Sequence, residues 1–540
     1  MSKKKELWQK RVDELLLKEM IEQSAADGLT QMINSPDDEN FTLVEEVLKD
    51  SIRKKLSENL NTGQGDAFYK IVDFLENPQH EALVLKGYAG TGKTFLVKRI
   101  IEYIAQTDHK KTVAISAPTN KAVNVLYMNS PANAESMHAY VLDDIFDANS
   151  RLVYSTIHKL LGLKEVITDD GEQLFQVDSF SKSDLSNYNV LIVDEVSMLD
   201  DKLCNEIMKL SKQIRIIFMG DPAQIPPVKK DNSIPFSANQ PYNFNVVELT
   251  EIMRQKGDNP IIKLSFEIRN NLSKANPVPV ITTELNAQEH GVIFMDSITE
   301  REYVKPLLEK YFKTEEFKLN SDYMKVIAWR NKTVAYINKT VREILYGEKP
   351  DTYVVGEKLI VNKPIFEKTV VERGRKSYHN WVVKFSTSEE FEVEGISVIE
   401  KTMREEHYNL NVKFYKLNII VDNPMKGGKS RSTIYVVHED SVADYEQLLA
   451  MTKVTAKASR IPKNWVIHFN IQKWSANITY NYAITGHKSQ GSTYKNVLII
   501  EEDLDMNKKI VERNRIKYTV FSRPTDRLYI LRKNLSNGPT

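Results

Sequence analysis

Cysteine is almost missing from this sequence: Cys204 is the only one in 540 residues. Neither a disulfide framework nor a thiolate metal cluster can therefore be built. Long hydrophobic runs are missing too. No stretch approaches the roughly 18 uninterrupted apolar residues of a membrane-spanning helix, and the opening MSKKKELWQKRVDELLLKEMIEQ is charged throughout, without the apolar centre of a secretory leader. The expectation is a cytoplasmic protein; a phage-encoded protein inside a bacterial host also fits. Charge of one sign is the third absence, with 74 Lys and Arg against 73 Asp and Glu, a formal net of +1. Bulk electrostatics does not announce a nucleic-acid partner, although a local basic groove disappears in such a sum. Repeats and low-complexity tracts are absent as well. What remains is long enough for three or four units of roughly 150 residues each.

The first 60 residues carry apolar positions at helical spacing in WQKRVDELLLKEMIEQ and FTLVEEVLKDSIRKKLSENL, with more acid than base. They read as a helical appendage, with packing on the main body favoured over partner binding. From about residue 81 the pattern changes to short β-rich runs followed by helical stretches: ALVLKG, KTVAISAP, YNVLIVDEV and IRIIFMGD. These runs are apolar at successive positions, as parallel strands covered on both faces require. A second group, YMKVIAWRN, NVLIIEED and RLYILRK, points to another α/β unit with strands far apart in sequence. Between its pieces, about 350–475 reads as short aromatic and β-branched segments divided by turns, an antiparallel β insertion.

GYAGTGKT (Gly87 to Thr94) sits between a strand-like and a helical stretch. Close approach of backbone amides to phosphate demands Gly87, Gly90 and Gly92, and the following helix N-terminus adds donors. Lys93 can reach the β and γ phosphates of ATP and Thr94 can ligate Mg²⁺. The strand VLIVDE ends in Asp194 and Glu195, a pair costly to place beside a core without a cation or water-filled site. Asp194 would hold magnesium; Glu195 would orient and deprotonate the attacking water. GDPAQIPPV carries Gln224, whose amide can donate to phosphate and accept from water; a solvated turn is the plainer account of that segment alone. YTVFSRPTDRLYI reads as a strand-like run interrupted by a turn at Arg523, where an isolated arginine would be an ordinary surface residue.

Together these motifs resemble the motor of helicase superfamily 1, most closely the RecD-like branch with the Dda-type helicases. The resemblance implies an α/β fold of two RecA-like phosphate-loop motor domains: residues 59–255 with a hairpin insertion at about 160–180, and residues 256–350 with 476–540, interrupted by an SH3-like β insertion over 351–475, after an appendage of residues 1–58. It implies that Gln64 reads adenine, that Arg254 in LTEIMRQ contacts the γ-phosphate from the first motor, and that Arg523 is delivered to it from the second, with Gly491 also near the nucleotide. It places Pro118, Thr119 and Asn120 in APTNKA, Thr156 and His158 in STIHKLL, and Thr485, His487, Lys488 and Ser489 in YAITGHKSQGSTYKNVLI on single-stranded DNA. Phe521 and Pro524 depart from the small residues common in the arginine motif.

LKEVITDDGEQLFQVDSF has an Asp-Gly centre flanked by alternating residues, a hairpin signal. In the resembled helicases such a hairpin is a wedge, and Phe175 is placed like the aromatic that meets a base; packing of Phe175 on its own domain is the competing reading. In the insertion, Lys363, Lys368, Arg373, Arg375, Lys376 and Lys384 interleave with Tyr378, His379 and Trp381. Further on, Lys453, Lys457, Arg460, Lys463 and Lys473 lie near Trp465 and Trp474. Both stretches suit a channel that tracks a backbone, or solvated loops. The function implied is an ATP-dependent DNA helicase moving 5′ to 3′ on single-stranded DNA and opening forks, in replication, recombination or repair, with no membrane role and no need to oligomerise. A single-strand-binding or recombination protein is a natural partner. A protein-displacing translocase, a nucleotide-regulated clamp, and RNA as the track stay open.

Overall fold

The computed structural model describes residues 3–34, 40–108, 110–128, 139–141, 151–167, 173–177, 184–228, 230–251, 259–373, 376–423, 428–459 and 461–533. Two largely parallel sheets form the α/β body. In the first, the strands run in the order Ala139–Val141, Leu152–Thr156, Val113–Ala117, Val190–Val193, Arg215–Gly220, Ala82–Gly87 and Phe244–Leu249, every neighbouring pair parallel. The unbroken apolar runs have a direct cause. Val190 and Ile192 enter the core on one face of the sheet, and Leu191 and Val193 enter the core on the other, so no position along the strand is left for a polar residue. The second sheet has the order Glu284–Leu285, Gly291–Asp296, Pro524–Arg532, Tyr494–Ile500, Met324–Ala328 and Ala483–Thr485. Only its first pair is antiparallel.

Strand order separates two kinds of loop along one edge of the first sheet. The acidic pair, the Gln224 turn and the phosphate loop follow three strands that are adjacent in the sheet, Val190–Val193, Arg215–Gly220 and Ala82–Gly87. Pro118 to Asn120 and Thr156 to His158 follow the next two, Val113–Ala117 and Leu152–Thr156. Ligand sites outside the carboxyl ends of parallel strands are the general rule for such sheets.

The amino-terminal helices Lys3–Leu17, Gln23–Asn34 and Asn40–Ser57 share the first unit's core: Val12, Leu15, Leu29, Val44 and Ile52 are buried with Phe68 and Ile100. They pack on the body, the plainer of the two roles expected for them.

The insertion holds a five-stranded antiparallel sheet in the order Gly428–Val437, Tyr408–Asn423, Glu390–Glu405, Lys358–Val361 and Ile478–Tyr480, and a separate two-stranded sheet of Ile365–Arg373 with Lys376–Phe385. The boundary expected after residue 475 therefore falls before the insertion's last strand. The insertion is also not all β. Helices Glu439–Ser459 and Pro462–Gln472 pack on the sheet, burying Tyr445, Leu448, Ile467, Ile471 and Trp474 with Val412 and Phe414. Trp465 is buried with Ala456 and Phe469, so neither Trp465 nor Trp474 is open to stacking with a base, contrary to the sequence reading. The expected hairpin is present as Leu163–Ile167 paired with Gln173–Val177, and helix Pro462–Gln472 lies against its first strand.

YTVFSRPTDRLYI also differs from expectation. Tyr518 to Phe521 end helix Ile510–Phe521, and only from Pro524 does the chain become a strand. Arg523 thus sits at a helix-to-strand turn.

Candidate nucleotide cleft and track-binding turns

The phosphate loop joins strand Ala82–Gly87 to helix Lys93–Thr107. Gly90 and Gly92 have φ of 85° and 81°, conformations that side chains disfavour. At Gly87 a Cβ would stand 2.7 Å from Thr91 Oγ1, so each glycine of the motif has a geometric reason. Lys93 Nζ donates to the carbonyls of Gly87 at 2.8 Å and Tyr88 at 3.0 Å, closing the loop on itself. Gln64 is buried; its Nε2 donates to Thr91 O at 3.1 Å, and its backbone N–H donates to Asn61 Oδ1 at 2.7 Å in a capping box. It braces the loop from the first unit.

Asp194 accepts from the Glu195 backbone N–H at 2.7 Å. Burial first, and then the Glu195 charge, push the Asp194 carboxyl well above the ordinary carboxylate range, with Lys93 pulling the other way. A dication beside Asp194 would relieve that unfavourable position. Glu195 has φ 53° and ψ 37°, a left-handed conformation in a non-glycine residue that costs about 1–3 kcal/mol and concentrates at functional sites. Gln224 is buried, and its Oε1 has no hydrogen-bond partner among the described residues. An orphaned acceptor, a strained acid and a cradle that a Cβ would fill suit Mg²⁺ and a nucleoside triphosphate, with Thr94 and Asp194 as the residues that would hold the metal.

The second unit closes over this site. Tyr518 Oη donates to Asp221 Oδ2 at 2.5 Å and accepts from the Ala89 backbone N–H of the phosphate loop at 3.3 Å. Burial, followed by the Asp221 charge, holds the Tyr518 hydroxyl well above its ordinary pKa, so it stays a donor. Ile225 N–H donates to Thr519 Oγ1 at 3.3 Å, and Gln490 Nε2 donates to Ile225 O at 3.0 Å. A cleft lies between Tyr88 and Ala89 on one side and Tyr518, Ser522 and Pro524 on the other. The Arg269 guanidinium stacks 3.2 Å over the Tyr88 ring centre at its edge. Arg523 itself is buried and donates to Thr519 O at 2.8 Å, Ser492 O at 3.1 Å and Ser522 Oγ at 3.0 Å. It is held by its own unit beside the cleft. Phe521 is fully buried in the second unit's core and Pro524 lines the cleft, so the two departures from the motif do different things. Arg254 lies outside the described residues.

On the other part of the edge, Pro118, Thr119 and Asn120 are half-buried at the junction of strand Val113–Ala117 and helix Asn120–Met128. Thr156 is buried at the end of its strand and His158 is half-buried on the next turn; burial lowers the His158 pKa, partly offset by Asp200, leaving the ring neutral near pH 7. Thr485 and the turn Gly486–Ser489 belong to the second unit. His487 is exposed, whereas Ser489 is fully buried and its hydroxyl donates to Gly486 O at 2.7 Å. Ser489 shapes the turn rather than facing a ligand, a correction to the sequence reading. Lys488 donates to Asn362 Oδ1, and burial pushes its ammonium down to about 8. Gly491 has φ 69°, and a Cβ there would meet Ala122 Cβ at 3.1 Å; its role is close contact between the two units' turns. Phe175 lies opposite Glu165 in the hairpin. Tyr518, Thr519 and Gln490 were missed in sequence although they stand inside the quoted motifs, because an apolar run and a polar turn do not announce a cross-cleft hydrogen bond.

A family model described as an AAA domain matches residues 59–276. The chain is 27% identical over 515 residues to the uncharacterized protein R530 of Acanthamoeba polyphaga mimivirus, covering 87% of this chain and 99% of that protein. It is 26% identical to the RecBCD enzyme subunit RecD of Buchnera aphidicola subsp. Schizaphis graminum, over 83% of this chain and 70% of RecD. It is 29% identical to the ATP-dependent DNA helicase dda of Enterobacteria phage T4, over 57% of this chain and 62% of dda. Among solved structures, a Pif1 helicase from Bacteroides is 16% identical with a TM-score of 0.41, covering 86% of this chain and 91% of that one. The sequence relatives, together with the phosphate loop and the motifs that follow it in order, make the chain similar to the RecD-like and dda-type DNA helicases.

Proposed function

We propose that the chain is an ATP-dependent DNA helicase that walks 5′ to 3′ on single-stranded DNA and opens forked duplexes. The observation that carries this reading is the cross-cleft contact set. Tyr518, Thr519 and Gln490 of the second unit hold the Asp221–Ile225 loop of the first, so the loop bearing Gln224 is read by the unit that also bears His487 and Lys488. Bound Mg²⁺-ATP supplies the phosphoanhydride whose hydrolysis drives the motor. Lys93 and the loop amides bind its phosphates, Glu195 takes the proton of the attacking water, and Gln224 positions that water. Arg254 and Arg523 stabilise charge on the transferring phosphoryl group from the two sides of the cleft.

The domain assignment follows: residues 59–255 are the first motor, 256–350 with the segment after the insertion are the second, and the insertion is an SH3-like module elaborated by two helices. The hairpin is the wedge. Contact between helix Pro462–Gln472 and the hairpin supports a bracing role for the insertion. Pro118, Thr119, Asn120 and His158 grip the strand from one motor, and Thr485, His487 and Lys488 grip it from the other, through phosphates rather than bases. A replication or recombination protein that coats single strands is the partner class this activity would meet.

ATPase and unwinding on duplexes bearing either a 5′ or a 3′ single-stranded tail test the reading. Unwinding from the 5′ tail with DNA-stimulated hydrolysis is expected. Preference for the 3′ tail overturns the polarity, and hydrolysis without any unwinding leaves a translocase.

A further inference from the structure

The strand-gripping turn of the first motor contains a side chain that the grip itself does not use. Lys121 follows Asn120 in the first turn of helix Asn120–Met128 and points across to the second unit. Its Nζ bonds Asp322 Oδ1 at 2.9 Å and Glu390 Oε1 at 2.8 Å, and it lies 4.9 Å from the Tyr494 ring centre. Asp322 stands on the turn Ser321–Tyr323 that leads into the second motor's strand Met324–Ala328, and Glu390 opens the insertion's strand Glu390–Glu405. One ammonium of the first motor therefore touches two further modules.

The cluster is built, not incidental. Glu390 Oε2 accepts from Asn481 Nδ2 at 2.6 Å and from Ser321 Oγ at 3.1 Å. Lys325, fully buried, donates to Asn481 O at 2.7 Å and faces the same Tyr494 ring at 5.4 Å. Against the opposing push of burial, Lys121 and then Lys325 pull the Glu390 carboxyl well below its ordinary range. Only a fifth of the Lys121 and Glu390 side chains is exposed. Ion pairs so enclosed gain little net stability and are strongly destabilising when one partner is removed, so their most direct use is to fix one arrangement. Beside the cluster, Gly491 of the second motor packs so near Ala122 that a Cβ on it would stand 3.1 Å from Ala122 Cβ.

We infer that Lys121 is a positioning residue that ties the strand-gripping turn of the first motor to the second motor and to the base of the insertion, keeping the two grips in register while the cleft works. With both carboxylates on it, the ammonium is committed to protein partners rather than to a DNA phosphate. The inference rests on the motor reading above.

The test uses the full chain with Lys121→Met, Lys121→Arg, Glu390→Gln and the double variant Lys121→Met with Glu390→Gln. It measures ATP consumed per base pair unwound and the salt dependence of single-strand binding. If Lys121 acts through Glu390, Lys121→Met and Glu390→Gln each raise ATP consumed per base pair about tenfold, a size ordinary for coupling between sites. The double variant is then no worse than either single one, and Lys121→Arg keeps most of the coupling. The slope of binding against salt is unchanged throughout.

Two results overturn the inference. A salt slope that falls by about one in Lys121→Met and not in Glu390→Gln makes Lys121 a phosphate contact. An unchanged ATP-to-base-pair ratio in Glu390→Gln, a variant that decides the matter even if Lys121→Met does not fold, removes the positioning role. A wild-type protein without DNA-stimulated ATPase sinks the motor reading and this inference together; intact stimulation with an unchanged ratio sinks this inference alone.

Discussion

The two motors meet in two places that are built differently. At the nucleotide cleft the contacts are single hydrogen bonds from Tyr518, Thr519 and Gln490 to a carboxylate and to backbone groups. On the side of the strand-gripping turns the contact is a cluster of opposite charges around Lys121. A neutral hydrogen bond is worth about 0.5–1.5 kcal/mol net, so the bonds of Thr519 and Gln490 are given up at low cost, whereas the bond from Tyr518 to the buried Asp221 carboxylate is the strongest of the set. Enclosed charges tolerate no such exchange. On the proposed reading, the cleft opens by giving up its weaker bonds while the charged cluster keeps the turns proposed to grip the strand aligned.

The sharpest way to break that comparison is to silence the cleft and leave the charged cluster intact. Lys93→Ala removes the ammonium that would lie on the phosphates; a loss of at least about 100-fold in DNA-stimulated ATPase is expected, the size of deleting one preorganised electrostatic contact. Single-strand binding, measured by fluorescence anisotropy without nucleotide, should stay within about twofold of wild type. Retained turnover would mean that GYAGTGKT is not where the phosphates sit.

Next in size is Tyr518→Phe, which deletes one hydroxyl and leaves the fully buried Asp221 with one partner fewer. The expected cost is about 1–3 kcal/mol of stability, read by denaturant unfolding, with a lower kcat at unchanged strand affinity. Should strand affinity fall as much as kcat, the two contact regions would not be separable as described.

How far the sequence led depends on what kind of signal each part leaves. Both parallel sheets were legible because strands such as Val190–Val193 are buried on two faces and must be apolar throughout. The same rule misled at Tyr518 to Phe521, where a helix end buried on all sides presents the same unbroken run as a strand. Helix Glu439–Ser459 was hidden for the opposite reason. Its buried positions Tyr445, Leu448, Thr452 and Ala456 follow helical spacing, but threonine and alanine carry too little hydrophobicity to mark it. The phosphate loop and the acidic pair were legible because their chemistry is local. Lys121, Asp322 and Glu390 are brought together only by the fold, and no local pattern connects them.

Phe175→Ala comes third and addresses the hairpin. A base stacked on an aromatic contributes about 1–3 kcal/mol, so unwinding of a fork, followed by strand-separation fluorescence, should fall several-fold while ATPase on single strands is retained. Equal unwinding would assign Phe175 to packing within its own domain and would leave strand separation to the motors.

The smallest effect concerns Lys488 and turns on the sign of a proton. Burial disfavours its charged form and brings the pKa from 10.5 to about 8; a DNA phosphate at the same place favours the charged form and raises it again. Binding therefore takes up a proton once the free group has lost its own, and affinity for single strands should decline as pH rises above about 8, by at most about tenfold at pH 9. The effect on folding runs the other way. Between about 8 and 10.5 the unfolded chain holds this proton and the folded chain does not, so this residue makes the fold more stable with rising pH while binding weakens. Lys488→Arg keeps its charge throughout and should flatten the binding profile. A profile just as steep in that variant would place the titrating group elsewhere and remove Lys488 from the grip, leaving Thr485 and His487 to hold the strand on the second motor.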